Sequence, residues 1–237
     1  MSPPLIEVRG LQKSYNGSMV LNGVSFTIME GETLGLFGIS GSGKTTLGRC
    51  MVLLDRPEQG EILYQRRDLL KMNSKEFSRL RPSLQMIFQH PESSLNPRIK
   101  VFQSIAEPLQ IHQNLSMSEL HYEVAKLVEH VGLKAEHLER YPNQLSGGEI
   151  QRAILARIIS LKPTFIVADE PTSMLDASVQ AQILRLMMKL QERIKVAYLF
   201  ISHDLDVLRA VSDRIAYIDN GSITSIEKND EKKSWIS

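Results

Sequence analysis

The sequence has 237 residues, of which 42% are hydrophobic and 23% charged, and its formal net charge is +1 at pH 7. This length suits one sizeable α/β core with an inserted subdomain and is too short for two full-size domains. The balanced charge provides no strong field to attract nucleic acid or an anionic membrane, so we expect no nucleic-acid partner. The single cysteine, Cys50, excludes an intramolecular disulfide framework and fits a reducing compartment.

The first quarter of the chain alternates apolar and polar residues in the manner of β-strands. The alternation is clearest over 6–8 and 24–28, and the sequence Tyr-Asn-Gly-Ser at 15–18 predicts a turn between two strands. A short apolar run over 33–37 then leads into a glycine-rich loop. After this loop the pattern predicts a helix over about 44–54, since proline and glycine follow soon after its end.

The middle of the chain, about 91–161, has a mostly helical pattern. Its clearest amphipathic stretch is 119–131, where apolar residues recur at helical spacing. The expected breaks are Pro97, Pro108 and Pro142. The histidines at 112, 121, 130 and 137 match no metal-ligand spacing that we recognise, and we expect them on solvated helix faces.

Strand patterns return at 164–168 and 196–201, on either side of an amphipathic helix predicted over 179–193. A hairpin is then predicted, with the turn Asp-Asn-Gly-Ser between a strand at 214–218 and Ile223. Because strands alternate with helices, we expect an α/β fold with a mainly parallel sheet.

Residues 38–45 match the phosphate-loop pattern G-x-x-x-x-G-K-[ST]. Glycines allow consecutive backbone N–H groups to point at phosphate oxygens, and the next helix adds its positive end. Lys44 would reach the β- and γ-phosphates, and the Thr45 hydroxyl would bind Mg²⁺. The alternative, a surface loop, is disfavoured by the position between a strand and a helix. The residues expected to bind ATP here are Gly38, Ile39, Ser40, Gly41, Ser42, Gly43, Lys44, Thr45 and Thr46.

Two carboxylates follow the apolar run 164–168. Asp169 would hold Mg²⁺, and Glu170 would orient or deprotonate an attacking water. An ordinary acidic strand end is the alternative, and the presence of a phosphate loop in the same chain disfavours it.

The segment Ser146-Gly147-Gly148-Glu149 begins another predicted helix. Ser146 and Glu149 can form a capping box, which would stabilise the helix and would imply no further function. However, two glycines after the cap lower helix propensity, whereas close approach of the backbone to a phosphate requires them. On these residues alone, the two interpretations remain balanced.

These motifs occur in order with Gln89, residues 173–176 and His203. From about residue 5 to residue 223 the chain thereby resembles the nucleotide-binding subunit of an ABC transporter. The resemblance implies the ABC ATPase fold, a RecA-like P-loop core with an antiparallel β subdomain and an inserted α-helical subdomain. In that family two subunits sandwich two ATP molecules, and each ATP lies between one subunit's phosphate loop and the other's signature loop.

The resemblance also implies how the chain divides. We expect a single domain over 1–237, with a core and β subdomain at about 1–90 and 162–225. The helical subdomain would span about 91–161, and 226–237 would form a polar tail.

The resemblance further implies roles for individual residues. Tyr15 would stack on adenine, Asp176 would communicate across the dimer interface, and His203 would contact the γ-phosphate. The signature residues, which would bind the ATP of the opposite subunit, are Ser146, Gly147, Gly148 and Glu149. The expected catalytic residues are Glu170, His203 and Gln89, and the expected Mg²⁺ ligands are Thr45, Gln89 and Asp169.

Residues 87–98 and 105–109 resemble, more narrowly, the peptide/nickel branch of ABC importers. The expected function is that of an ATP-hydrolysing motor for uptake of nickel, metal–chelate complexes or peptides. The implied partners are a second and different ATPase subunit, two transmembrane permease subunits and an extracytoplasmic binding protein. Because we find no signal peptide and no membrane-spanning run, we expect a peripheral subunit at the cytoplasmic face of the inner membrane.

The sequence departs from this branch at several positions. Ile39 stands where an acidic residue is common, Glu149 replaces glutamine, and Met174 replaces alanine. None of these changes removes a catalytic group. Many peptide-type members carry a C-terminal His-Pro-Tyr-Thr stretch, and its absence here favours nickel-type or metallophore-type members.

The sequence disfavours several other functions. A non-transport ABC ATPase would carry a long coiled-coil insertion or two ATPase domains, and a non-hydrolysing partner subunit would lack groups such as Lys44 and Glu170. An exporter is disfavoured by residues 94–98, and a simple P-loop kinase would need neither 145–149 nor His203. The cargo, an oligopeptide or a metal, and the identity of the second ATPase subunit stay open.

Overall fold

The computed structural model describes residues 3–90 and 94–232. The chain forms two compact units. The first unit consists of Met1–Met86, Thr164–Glu170 and Met188–Ser237, and the second of Ile87–Pro163 and Pro171–Met187.

The first unit contains a four-stranded antiparallel sheet. Its strands are β1 (Ile6–Tyr15), β2 (Ser18–Ile28), β4 (Gln59–Tyr64) and β5 (Arg67–Asp68), in the order β2-β1-β4-β5. The predicted turn joins β1 to β2 through Asn16 and Gly17, whose φ angles of 50° and 81° lie in the left-handed region. Asparagine and glycine tolerate this region best, so the local sequence provides the turn of this hairpin.

The larger sheet has six strands in the order β10-β9-β3-β8-β7-β6. They are β3 (Thr33–Phe37), β6 (Leu84–Ile87), β7 (Phe165–Asp169), β8 (Ala197–Ser202), β9 (Arg214–Asp219) and β10 (Ser222–Lys228). β3 pairs in parallel with β8 and β9, and β8 pairs in parallel with β7. The carboxyl ends of β3, β7 and β8 therefore meet at one edge, where open α/β sheets bind ligands. The predicted mainly parallel sheet is confirmed.

Among the described residues, the first unit contains three complete α-helices: α1 (Lys44–Met51), α2 (Ser74–Leu80) and α7 (Leu205–Val211). α1 begins directly after the phosphate loop and buries Leu47, Cys50 and Met51. These side chains join residues of both sheets in one hydrophobic cluster. The helix that follows the phosphate loop is thus fixed by packing of its buried face against the hydrophobic core.

The second unit is helical. It contains α3 (Val101–His112), α4 (Met117–Val131), α5 (Gly147–Ile159) and the part of α6 (Ala177–Ile194) that ends at Met187. Two arginines of α5 stabilise it: Arg152 donates to the Val131 carbonyl at the end of α4, and Arg157 binds Glu107 of α3 at 2.6 Å. The described residues include no helix long and apolar enough to cross a membrane.

Two local expectations were wrong. Pro108, an expected break, lies inside α3 and is buried. Proline within a helix costs about 3 kcal/mol, and the burial of its neighbours Ile105 and Leu109 against the rest of the unit offsets this cost. The final strand, β10, continues to Lys228, since its backbone pairs with β9 as far as Arg214; the polar tail therefore begins later than position 226.

Because α1 packs closely against β7 and β8 at Gly48, we predict that Gly48→Ala destabilises the protein. A Cβ at Gly48 would lie 2.8 Å from Val167 Cγ1 and 3.0 Å from Ile201 Cδ1. The overpacking cost of about 1–3 kcal/mol should exceed the gain of about 1 kcal/mol that alanine brings to a helix interior. Chemical denaturation should show a lower free energy of unfolding for Gly48→Ala. Ser78→Ala, on the exposed surface of α2, should not lower it.

Candidate nucleotide site

Glycine is required at two positions of the phosphate loop. A Cβ at Gly38 would lie 2.5 Å from the Ile218 carbonyl oxygen and 2.6 Å from Ser42 Oγ. At Gly43 φ is 100°, and a Cβ would lie 2.8 Å from the Val20 carbonyl oxygen. The loop therefore passes close to β9 at Gly38 and close to the start of β2 at Gly43. Neither position leaves room for a side chain. Its remaining predicted residues lie at its exposed tip or at the start of α1, as Ile39, Ser40, Gly41, Thr45 and Thr46.

The Lys44 side chain is folded into the loop. Its Nζ donates to the carbonyl oxygens of Gly38 and Ile39, both at 2.7 Å. Burial lowers the pKa of this ammonium, while the carboxylates of Glu170 and Asp169 act in the opposite direction. The positive charge is thus already held where the loop backbone curls, which is the arrangement that phosphate binding needs.

Asp169, at the end of β7, has the environment expected of a metal ligand. It is 2% exposed, and its Oδ1 has no hydrogen-bond partner within the described part of the chain. Burial raises the pKa of its carboxyl, and a hydrogen bond with Thr45 acts against this. A hydroxyl and an unpaired carboxylate oxygen are ligands that Mg²⁺ prefers. Thr45 and Asp169 therefore fit Mg²⁺, which when bound neutralises phosphate charge.

Glu170 and His203 meet at the carboxyl edge of the sheet. Glu170 Oε1 lies 3.0 Å from His203 Nδ1, across the parallel strands β7 and β8. The Glu170 backbone is left-handed, with φ of 45°, and its N–H donates to the Ile201 carbonyl. The pair can accept a proton from a water molecule and hold it near a bound phosphate.

Tyr15 lies at the end of β1, and its side chain is 41% exposed. Its hydroxyl donates to Asp55 Oδ2 at 2.7 Å. The ring therefore remains accessible while its edge is fixed. Sequence reasoning missed Asp55, because a residue in a loop after a helix carries no periodic signal.

In the second unit, Ser146 and Glu149 form the predicted capping box at the start of α5. Ser146 N–H donates to Glu149 Oε2 at 2.8 Å, and Glu149 N–H donates to Ser146 Oγ at 3.4 Å. The hydrogen bond from the Ser146 backbone lowers the pKa of the Glu149 carboxyl. Ser146 and Gly147 are exposed at the surface of this unit.

Gly148 has a packing role that the sequence did not reveal. A Cβ there would lie 2.6 Å from Val179 Cγ1 at the start of α6. Close approach of a phosphate is therefore not needed to explain this glycine, because packing against α6 also requires it. Close approach of a phosphate to the backbone remains compatible with the same absence of a side chain.

Gln89 and Asp176 also belong to the second unit. Gln89 is half-buried and follows β6. Asp176 is exposed, and its Oδ1 accepts hydrogen bonds from the backbone N–H groups of Ser178 and Val179. It therefore acts as a cap at the start of α6.

His137 differs from the expected solvated histidine. It is 5% exposed, its Nδ1 accepts from the Lys134 backbone N–H, and its Nε2 lies 3.3 Å from Glu149 Oε1. Its burial results from the 3₁₀ turn over Ala135–Glu139, which an α-helical periodicity does not describe.

A family model described as "ABC transporter" matches residues 21–173, more than half of the chain. The chain belongs to the ABC transporter family. It has the ABC ATPase fold, and its activity is ATP hydrolysis coupled to transport, with ATP and Mg²⁺ as nucleotide and metal.

Curated relatives extend over nearly the whole chain. It is 42% identical to the oligopeptide transport ATP-binding protein OppF of Streptococcus mutans, over 96% of this chain and 76% of that protein. It is 45% identical to the di/tripeptide transport ATP-binding protein DppF of Pseudomonas aeruginosa, over 87% of this chain and 64% of that protein. It is 42% identical to the dipeptide transport ATP-binding protein DppF of Escherichia coli, over 91% of this chain and 67% of that protein. The chain thus spans about two thirds to three quarters of these relatives.

Solved structures agree with the fold. The ATP-binding cassette MJ0796, determined as a dimer in a post-hydrolysis state with ADP and Pi, is 28% identical, with a TM-score of 0.85 over 94% of this chain and 98% of that one. CbiO1 of Clostridium perfringens, part of the ABC transporter complex cbiONQ, is 23% identical. Its TM-score is 0.87 over 97% of this chain and 90% of that one. The predicted ABC ATPase fold is confirmed.

The Glu170–His203 contact predicts a separation of binding from turnover. Glu170→Gln should keep the affinity for MgATP within about twofold and reduce phosphate release by at least about 100-fold, since a positioned base contributes that much. The control is Glu129→Gln, which changes an exposed glutamate of α4 and should hydrolyse normally. Near-normal turnover of Glu170→Gln would exclude Glu170 as the base.

The contact between α5 and α6 predicts a compensating pair of substitutions. Gly148→Ala should lower the melting temperature without nucleotide, because its Cβ meets the branched Val179 side chain. The double variant Gly148→Ala with Val179→Ala should recover most of the loss, since the obstructing methyl groups are absent. Thermal denaturation of both variants and of Val179→Ala alone measures this. A double variant as unstable as Gly148→Ala would contradict the packing role.

Proposed function

We propose that this chain is the ATP-hydrolysing subunit of an ABC importer for di- and oligopeptides. The observation that carries the proposal is the Glu170–His203 pair beside the buried Lys44 and Asp169, in a chain whose similar relatives are named as peptide-transport proteins. These groups supply a base, a cation and a metal ligand at one sheet edge. A nucleotide-binding subunit that only assists a partner needs no such set.

The proposed chemistry assigns each group one role. The loop amides and Lys44 bind the β- and γ-phosphates and stabilise charge on the transferred phosphoryl group. Glu170 accepts the proton of the attacking water, and His203 contacts the γ-phosphate. Thr45 and Asp169 hold Mg²⁺, and Tyr15 stacks on adenine.

The second unit acts on the nucleotide of another subunit in this proposal. Ser146, Gly147, Gly148 and Glu149 bind the ATP held by the opposite ATPase subunit. Ser146 and Gly147 are exposed at the N-terminal end of α5, which carries the positive end of a helix dipole. Asp176 communicates across the same interface. ATP binding then closes the dimer, and hydrolysis reopens it.

The partners follow from this arrangement. A second ATPase subunit, a different chain, completes the ATP sandwich. Two permease subunits and an extracytoplasmic binding protein select and move the cargo, while this chain is attached peripherally at the cytoplasmic face of the inner membrane. The described residues of the stretch from Gln89 to Leu109 contribute to the groove that contacts a permease. Nickel or a metal–chelate complex is the alternative cargo.

Cargo is decided by uptake in cells that lack this chain. Cells complemented with the wild-type gene should accumulate a labelled tripeptide at least about 10-fold above cells carrying Glu170→Gln, since transport requires the hydrolytic base. Glu129→Gln is the matched control and should support wild-type uptake. Radiolabelled nickel, with and without a chelating metallophore, is tested in parallel. Uptake of nickel alone would refute a peptide cargo, and uptake of neither would refute the importer assignment.

A further inference from the structure

Asp55, which follows α1, is bound from two sides, by a hydrogen bond from Tyr15 and by an ion pair with Arg49. The Tyr15 hydroxyl donates to its Oδ2 at 2.7 Å, and Arg49 Nε, near the end of α1, lies 2.8 Å from the same oxygen. Arg49 thus holds Asp55 in place, and Asp55 holds the edge of the Tyr15 ring. Residues of β1 and of α1 are joined through one carboxylate.

The segment around Tyr15 is held at further points. Lys13 Nζ lies 4.9 Å from the centre of the Tyr15 ring, within the range of a cation–π contact. Glu58 binds Lys13 Nζ at 2.9 Å and accepts from the Ser14 backbone N–H at 2.8 Å. One face of the ring is therefore covered by a fixed ammonium group, while 41% of the residue stays exposed.

Both anchors of Tyr15 lead to the phosphate loop. Tyr15 ends β1, and the hairpin continues into β2, where the Val20 carbonyl closely approaches Gly43. Arg49 lies on α1, whose first residue is Lys44. The exposed ring is therefore tied by two routes to the site that binds phosphates, as a platform for the opposite end of a nucleotide requires.

The Tyr15 hydroxyl keeps the proton that it donates in the hydrogen bond to Asp55. Burial, together with the hydrogen bond to Asp55 and the charge of Asp55, raises the pKa of Tyr15 to about 12. It stays protonated at physiological pH, so the hydrogen bond is retained throughout the working range. A platform fixed before the ligand arrives loses little conformational freedom on binding.

We infer that Asp55, supported by Arg49, is a positioning residue that fixes the Tyr15 ring for the nucleobase and so sets the preference for adenine nucleotides over base-free phosphates. This inference rests on the proposed function, because it takes Tyr15 as the surface on which adenine stacks. Asp55 itself does not touch the nucleotide. Asp55 therefore affects binding of the nucleobase and leaves binding of the phosphates unchanged.

The test compares ligands with and without a base. Dissociation constants for MgATP and for Mg-tripolyphosphate are measured on the full chain carrying Asp55→Ala, Asp55→Asn, Tyr15→Phe, or Asp55→Ala with Tyr15→Phe. Asp55→Ala and Tyr15→Phe should each weaken ATP binding by about three- to tenfold, the range for loss of one hydrogen bond. The double variant should be no weaker than either single one. Tripolyphosphate binding should not change.

Conservative and surface variants complete the design. Asp55→Asn retains an oxygen that can accept from Tyr15 and should recover most of the preference for ATP. Asp230→Ala removes an exposed carboxylate and should leave both constants unchanged, which controls for net charge.

Three results would overturn the inference. They are an equal loss of tripolyphosphate binding in Asp55→Ala, a full additional loss when Asp55→Ala is added to Tyr15→Phe, or an unchanged ratio of the two constants. If the wild-type chain binds neither ligand, the proposed function itself fails. If wild type binds both and only the Asp55 variants behave otherwise than expected, the inference alone fails.

Discussion

The site depends on the parallel pairing of β3, β7 and β8. Parallel strands end at the same edge, so the residues that follow each strand meet there although they are distant in the chain. Gly38 follows β3, Glu170 follows β7, and His203 follows β8. The distance of 3.0 Å between Glu170 and His203 is a direct product of that pairing. Any change that shifts the register of β7 against β8 would separate the pair, even if both side chains were kept.

Burial of opposite charges gives this edge its chemistry. Lys44 is 7% exposed and Asp169 is 2% exposed, and desolvation disfavours the charged form of each. Mutual attraction and the loop carbonyls limit this cost. Among the described residues, Asp169 Oδ1 and Ser42 Oγ still lack hydrogen-bond partners. Buried polar atoms are rarely left unpaired in a stable protein, so these atoms favour a ligand that brings both phosphate and a cation.

Local sequence patterns predicted most of the fold and the motifs but not the contacts between distant segments. The alternation in β1 and β2 and the apolar runs of β7 and β8 are local, so periodicity sufficed. The Tyr15–Asp55 hydrogen bond joins residues 40 positions apart, and the close packing of Gly148 against Val179 joins two helices. Neither has a periodic signal. Pro108 was misjudged because tertiary burial outweighed a local rule about helix interiors.

Glu170 shows why the strand pairing and the site cannot be treated separately. Its left-handed backbone, at φ of 45°, costs roughly 1–3 kcal/mol for a residue that is not glycine. The hydrogen bond from its N–H to the Ile201 carbonyl extends the β7–β8 ladder by one residue and holds this conformation. The same turn points the carboxylate at His203. A glycine would relieve the strain but remove the carboxylate, so the sheet must stabilise at this position a conformation that the side chain disfavours.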